Sequence, residues 1–236
     1  MENLVNRNTL ITGATKGIGL QLSKTLLQRD CRVYGVGRDF SNLEQLEYDD
    51  GLTQIACDLG DLEQLEETLP KLPKDIGLLV LNAGFGQFGG LEQFSHAQVK
   101  RLVDTNLVSN IYLLKHYLPF MKAQGGGDIV LLGSESGLQG AKAGAVYCAT
   151  KFALRGLAQS LRADCSNANI RVNLVNPGPV DSDFFESLKF EPQEGQEFVL
   201  NSQDIALAII GALDQPRHVV YEEVNIQPMK RSFRKK

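Results

Sequence analysis

Short runs of β-branched and leucine-rich sequence alternate with longer amphipathic stretches along the whole chain, and this alternation restricts the fold more than any other feature. The short runs fall at 9–12, 32–36, 53–56, 78–81, 128–132, 171–175 and 218–222. Their central residues are mostly apolar with no period of two, which is the pattern of strands covered on both faces, as in a parallel sheet. Helical spacing fills the intervals at 18–29, 62–69, 97–121, 145–164 and 202–213. In the first of these Ile18, Leu22, Leu26 and Leu27 share one side, and in the second Leu62, Leu65 and Leu69 do. Seven strands separated by helices predict one doubly wound α/β domain over residues 1–236. A chain of 236 residues supports one sizeable core and is short for two.

The remaining composition narrows the function classes. A net charge of −4 points to neither a nucleic-acid nor a membrane partner. Glu2 and the absence of an apolar stretch behind a charged start argue against a signal peptide, and no apolar run nears the ~18 residues that span a bilayer. Cys31, Cys57, Cys148 and Cys165 lack metal or disulfide spacing, so free thiols in a reducing cytoplasm are expected. His96, His116 and His218 show no ligand spacing, and no metal is expected. The basic tail at 229–236 reads as a solvated terminal charge run, with a polybasic contact as the alternative. The least regular stretch, 177–201, is of a length that compact domains keep for function or leave disordered.

Behind the first strand stands Thr12-Gly13-Ala14-Thr15-Lys16-Gly17-Ile18-Gly19. Gly13 permits a tight exit from the strand, Gly17 leaves the helix N-terminus open to a pyrophosphate, and Gly19 lets the helix pack close to the sheet. The pattern Thr-Gly-x-x-x-Gly-x-Gly resembles the fingerprint of the short-chain dehydrogenase/reductase family. That resemblance implies a Rossmann-type fold, with Gly13, Thr15, Lys16, Gly17, Ile18 and Gly19 around a nicotinamide dinucleotide. At the end of the second strand Gly37 stands where NAD-selective members carry Asp, and Arg38 follows. A carboxylate would repel the 2′-phosphate of NADP, whereas a guanidinium binds it through charge-assisted hydrogen bonds. Lys16 adds a second positive charge, so NADP is the expected cofactor; Asp39, read as a displaced ribose acid, is the discordant residue. Asp58 and Leu59 resemble the adenine-contacting pair, with a helix N-cap as the other reading of Asp58. Asn82-Ala83-Gly84 resembles the segment that steadies the central sheet and lines the adenosine ribose, and Gly84 and Gly86 would leave backbone near the cofactor unobstructed.

Tyr147 and Lys151 lie four apart in a predicted helix, a turn of about 400° that puts both on one face. An ammonium group beside a phenol favours the phenolate, which makes the pair a candidate proton donor and acceptor. Alone, Tyr-x-x-x-Lys is a common helix-surface pattern, but Ser134 precedes Tyr147 by 13 residues, the family's spacing for its catalytic serine. Ser136 competes with it and reads better as a turn residue. Asn106 matches the asparagine that shapes the family's fourth helix and holds a relay water; a purely structural polar residue would also explain it. Asn176-Pro177-Gly178-Pro179-Val180 resembles the Pro-Gly motif beside the nicotinamide, and Ser182 stands where relatives often carry Thr.

The motifs run in register from 9 to about 223. They imply an NADP(H)-dependent carbonyl–alcohol oxidoreductase with Asn106, Ser134, Tyr147 and Lys151 as its catalytic set. Residues 180–201 would form the substrate lid, lined by Phe184, Phe185 and Leu188, with Phe190 and Phe198 also available. This favours a small apolar substrate. A homodimer or homotetramer follows from the resemblance alone. An NADP-binding pseudoenzyme or redox-sensing regulator is the alternative, and the intact set argues against it. An isomerase or dehydratase with tightly held cofactor would carry a longer substrate domain.

Overall fold

The computed structural model describes residues 7–41, 50–186 and 188–236. Glu2 and one position of the 180–201 stretch lie outside them. Seven strands form a parallel sheet: β1 (Asn8–Thr12), β2 (Arg32–Gly37), β3 (Leu52–Ala56), β4 (Leu78–Leu81), β5 (Gly127–Leu132), β6 (Ile170–Pro177) and, last of the seven along the chain, β8 (Glu223–Ile226). Their order is β3-β2-β1-β4-β5-β6-β8. Between β1 and β4 the order reverses, and a crevice opens there at the carboxyl ends of the strands.

The absence of a period of two in the strand sequences has a direct structural cause. Along β4, Leu78 and Val80 pack against α1 (Gly17–Leu27) and α6 (Ser202–Leu213). Leu79 and Leu81 face the other layer, with α2 (Leu62–Thr68), α4 (Ser109–Ala123) and α5 (Ala145–Cys165). Strand β5 divides in the same way, Val130 to one core and Ile129 and Leu131 to the other. The edge strands β3 and β8 are the exceptions, with both faces partly open.

The expected helix at 97–121 is two helices joined by a wide turn. Helix α3 (His96–Val103), started by a Ser95–Gln98 capping box, runs into a π-helical segment at Asp104–Val108 and continues as α4. Asn106 sits in this π segment, a kind of helix irregularity that is frequent at functional sites.

Two expectations fail at the C-terminal end. The last parallel strand is β8, not 218–222. The run Val219-Val220-Tyr221 has strand-like composition but is largely exposed. Arg171 draws the carbonyls of Gln215, Pro216 and Val219 onto its guanidinium and holds the chain in a turn. The basic tail is not a free charge run. Its residues Phe233–Lys235 form β9, antiparallel to β7 (Phe190–Pro192) inside the 180–201 stretch. Arg234 pairs with Glu191 and Glu194, so the tail's charges are met by the lid's.

At the amino end of the strands, away from the crevice, Asp128, fully buried at the start of β5, meets Arg7, Arg171 and Arg217. Burial raises its pKa, but the bonds from Arg171 and Arg7 outweigh that and hold the carboxyl below its usual range. Arg171 also donates to the carbonyl of Leu213, which ties β6 to the end of α6.

Candidate active site

A cleft of about 1050 Å³ occupies the crevice between β1 and β4 and extends over the end of β5 toward the lid. At its floor the glycine turn behaves as its spacing predicts. Gly13 and Gly17 both take left-handed backbone, at φ +67° and +55°. A Cβ on Gly17 would meet only Ser182, at 3.7 Å, so the side facing the cleft is clear. Gly19 does not line the cleft; a Cβ there would stand 2.2 Å from the Gly13 carbonyl oxygen, so this residue serves the close packing of α1 on the turn. Asn82 holds the turn in place, donating from Nδ2 to the carbonyls of Thr12 and Gly13 at 2.9 and 3.2 Å.

Thr15, Lys16, Ile18 and Arg38 border the turn, and Leu59, Ala83 and Gly84 continue the wall. Arg38 is exposed and makes no ion pair among the described residues. Lys16 is already engaged, its Nζ 3.0 Å from Asp183 of the lid. Asp58 is not the cap of α2, since Asp61 takes that role by accepting from the Gln64 backbone. Asp58 instead accepts two bonds from Arg101 of α3, at 2.9 and 2.7 Å. Burial raises its pKa, and the Arg101 and Gly60 bonds overcome this to leave it lowered. Arg101 was not visible as a site residue in the sequence. Its only signal is Gly60, where a Cβ would collide with the guanidinium at 2.5 Å. Asp39 lies outside the cleft and accepts from the Ser41 backbone instead.

Over the end of β5 the cleft reaches Ser134, Tyr147 and Lys151, all buried. Ser134 extends from β5 with its backbone N–H on Asn176 Oδ1 at 3.2 Å, and its hydroxyl accepts from the Ser136 backbone at 3.1 Å. Ser136 is thus the turn residue. Asn176 also donates to Glu223 and Asn225 of β8, so the true position of the seventh strand matters for where the serine sits. On α5, Tyr147 packs between Phe88 and Phe184, with ring centroids 5.3 and 5.8 Å away. Lys151 Nζ donates to the Leu132 carbonyl at 2.8 Å.

The electrostatics differ from the simple pairing expected of a tyrosine and a lysine. Burial pushes the Tyr147 phenol up to about 12, against the lowering influence of the Ser134 hydroxyl beside it. Burial also pulls the Lys151 ammonium down to about 8. In the protein alone, desolvation therefore dominates at both residues, and Tyr147 holds its proton firmly.

Asn106 does not reach the cleft. Its amide accepts from the Phe85 backbone at 3.0 Å and donates back to the Phe85 carbonyl at 2.9 Å, which clamps the Gly84–Gly86 loop to the π segment. Among the lid residues, Phe184 and Phe185 line the cleft, but Leu188 turns inward and is 7% exposed, its backbone N–H bonded back to the Phe185 carbonyl. Phe198 lies under Lys230 instead. At Gly86, which also borders the cleft, a Cβ would meet the Phe184 ring at 2.3 Å, so this glycine also lets the lid lie close. Pro177, Gly178, Val180 and Ser182 border the cleft as expected, and Ser182 caps the short turn that carries Phe184. Phe88, Glu135, Phe190, Arg231 and Phe233 also line it and carry no motif.

Sheet order and crevice together define an α/β protein of the dinucleotide-binding class. The family model for short chain dehydrogenases matches residues 7–193. The chain belongs to the short-chain dehydrogenase/reductase family and is an oxidoreductase of it. It is 29% identical over 234 residues to an uncharacterized oxidoreductase of Staphylococcus epidermidis, covering 97% of this chain and all of that one. It is 37% identical over 187 residues to human retinol dehydrogenase 8, covering 75% of this chain and 60% of the relative. Among solved structures, a serine dehydrogenase complexed with NADP+ aligns with TM-score 0.83 at 26% identity over 95% of this chain and 96% of the other. An alcohol dehydrogenase of Thermococcus sibiricus complexed with 5-hydroxy-NADP aligns with TM-score 0.84 at 26% identity, covering 96% and 98%. Among the described residues no helix is long and apolar enough to cross a membrane.

Proposed function

We propose that the protein is an NADP(H)-dependent reductase of apolar carbonyl compounds, acting with Tyr147 as proton donor. The observation that carries this reading is the meeting, in one cleft, of a glycine-lined crevice with the buried side chains of Ser134, Tyr147 and Lys151. A bound nicotinamide supplies the hydride. Tyr147 gives its proton to the carbonyl oxygen, a task suited to a phenol that burial keeps protonated. Ser134 donates a hydrogen bond to the same oxygen as charge develops on it, its position set by Asn176. Lys151 would hold the nicotinamide ribose, and Asn106 acts one step back by fixing the loop beside the crevice. Gly13, Gly17 and the α1 N-terminus would take the pyrophosphate, and the open space beside Gly17 fits that group.

Arg38, a cation at the adenosine end of the crevice that pairs with no carboxylate among the described residues, supports NADP over NAD. Lys16 would have to exchange Asp183 for the phosphate, so Arg38 is assigned the larger share. Replacing Arg38 with alanine is expected to raise the KM for NADPH by about 10- to 100-fold, the worth of one or two charge-assisted hydrogen bonds. The KM for NADH should barely move, and an equal rise for both cofactors would reject this assignment.

The aromatic lining of the cleft supports an apolar substrate, as do relatives named for a retinol and for a 17-beta-hydroxysteroid. A panel of aldehydes, ketones and diketones followed at the NADPH absorbance, with NADH as control, tests the function directly. No turnover of any of them would favour a cofactor-binding regulator instead.

Lys151 gives a further expected result. Its folded pKa of about 8 lies below the ordinary 10.5, so the unfolded chain binds the proton more tightly between these values. Stability contributed by this residue therefore rises as pH increases through that window and is at its lowest below it. Lys151→Met is expected to abolish turnover yet raise the melting temperature at pH 7, by roughly 2–4 °C per kcal/mol of relieved burial. Thermal denaturation at pH 7 and pH 10 checks this, with the gain shrinking at the higher pH.

We also propose that the chain self-associates through α4 and α5, where Ile111 and Phe152 stand 40% and 44% exposed. Phe152→Glu is expected to lower the sedimenting mass to that of a monomer.

A further inference from the structure

The tail strand β9 lies against the lid strand β7, and both border the cleft. Phe233 of β9 stacks edge-on against Phe190 at 5.8 Å and tilts against Phe185 at 6.4 Å. Phe190 in turn meets Phe88 at 5.1 Å, and Phe88 meets Tyr147 at 5.3 Å. An unbroken row of rings thus leads from the proposed proton donor to the tail. Phe233 remains 39% exposed, with the cleft on one of its sides.

The tail is fastened at several points that a solvated terminus would lack. Beyond the ladder with β7, the Lys236 ammonium donates to the Phe185 carbonyl at 2.6 Å, and the Lys230 backbone donates to the Glu197 carbonyl at 2.7 Å. At the inner end, Arg231 reaches across the mouth of the cleft to Glu135, 3.2 Å away and next in sequence to Ser134. The other oxygen of Glu135 is buried with no hydrogen-bond partner. Arg231 therefore neutralises a carboxylate that would otherwise set an uncompensated charge beside the reacting carbonyl.

We infer that the C-terminal strand completes the substrate site, with Phe233 as the outer wall for an extended, ring-bearing carbonyl compound and Arg231 as the tie that closes it. This rests on the carbonyl-reductase reading and names the substrate shape that reading leaves open. A short aliphatic aldehyde would fill only the space beside Tyr147. A compound with a flat apolar body would lie along the row of rings and reach Phe233.

The test measures binding, apart from turnover. A ketone does not react with the oxidised cofactor, so 2-acetylnaphthalene is titrated calorimetrically into the complex with NADP+. Phe233→Ala is expected to weaken ketone binding about fivefold or more, and removal of residues 230–236 to weaken it further. Phe233→Leu should recover part of the loss, and NADP+ affinity should not change in any of these variants. If the shortened chain fails to fold, the Phe233 variants decide alone. Wild-type ketone affinity in Phe233→Ala, with only a lower melting temperature, would mean that the tail merely packs on the lid and would overturn the inference. Absence of ketone binding to the wild type would also overturn it. Ketone binding that depends on Phe233, without reduction of any carbonyl by NADPH, would instead overturn the proposed reaction and leave the wall in place.

Discussion

Tyr147→Phe is expected to lower carbonyl reduction by about 10²- to 10⁴-fold, the range for loss of a positioned proton donor, while NADPH binds with nearly unchanged affinity. The substitution removes only the phenol hydroxyl. The ring keeps its place between Phe88 and Phe184, so folding should be preserved. Stopped-flow mixing with NADPH separates binding from turnover, and a variant that keeps full activity would remove Tyr147 from the mechanism. The elevated phenol pKa, about 12, adds a direction. The donor stays protonated across the neutral range, so loss of its proton should not limit reduction there. Alcohol oxidation, which needs the phenolate as acceptor, should speed up as pH rises.

Asp128→Asn is expected to destabilise the fold by about 3–5 kcal/mol, the cost of breaking a buried ion pair from one side. Arg171 is left 3% exposed with no counter-charge of full strength, and Arg7 and Arg217 lose the same partner. Urea denaturation measures the loss, and a value under about 1 kcal/mol would show that the carbonyls around Arg171 suffice. The acid limb of stability follows the same residue. The folded pKa of Asp128 is depressed, so its contribution is fully present above the unfolded value near ~3.9 and fades as pH falls through the folded one. The variant should show a flatter stability curve below pH ~4.

The central strands and the glycine turn were legible because local pattern and final environment agree. Leu78-Leu79-Val80-Leu81 is apolar throughout because each of its faces meets a different helical layer. The carboxyl-edge motifs were legible for a similar reason: Gly13 is held by Asn82, just past β4, and Ser134 by Asn176 at the end of β6, so each motif meets another motif. Strand β8 was not legible. Its sequence Glu-Val-Asn-Ile is half polar because its side chains bond Asn176 and Arg155, partners that lie 47 and 68 residues away. The more strand-like run before it is held in a turn by Arg171, and nothing local announces that. Strand β9 escaped notice for the same cause, since its charges read as solvated until Glu191 and Glu194 are seen opposite them. The four-residue spacing predicts that Lys151 favours the Tyr147 phenolate, whereas burial is the leading influence on both groups. Desolvation depends on everything packed around the pair, and it is the larger effect here.

Strand β5 carries Asp128 near one end and delivers Ser134 just past the other. Six residues at about 3.3 Å each keep the ionic knot and the chemistry roughly 20 Å apart along one rigid strand. Mutations that reshape the lid or the tail therefore act on a different part of the molecule from those that decide whether the sheet holds. Such a division lets selection trade one substrate for another without first finding a compensating change in the fold. New specificities in this lineage should accumulate at Phe88, Phe185, Phe190 and Phe233 while the arginines around Asp128 stay put, and libraries randomised at the first set should keep a far larger folded fraction than libraries randomised at the second.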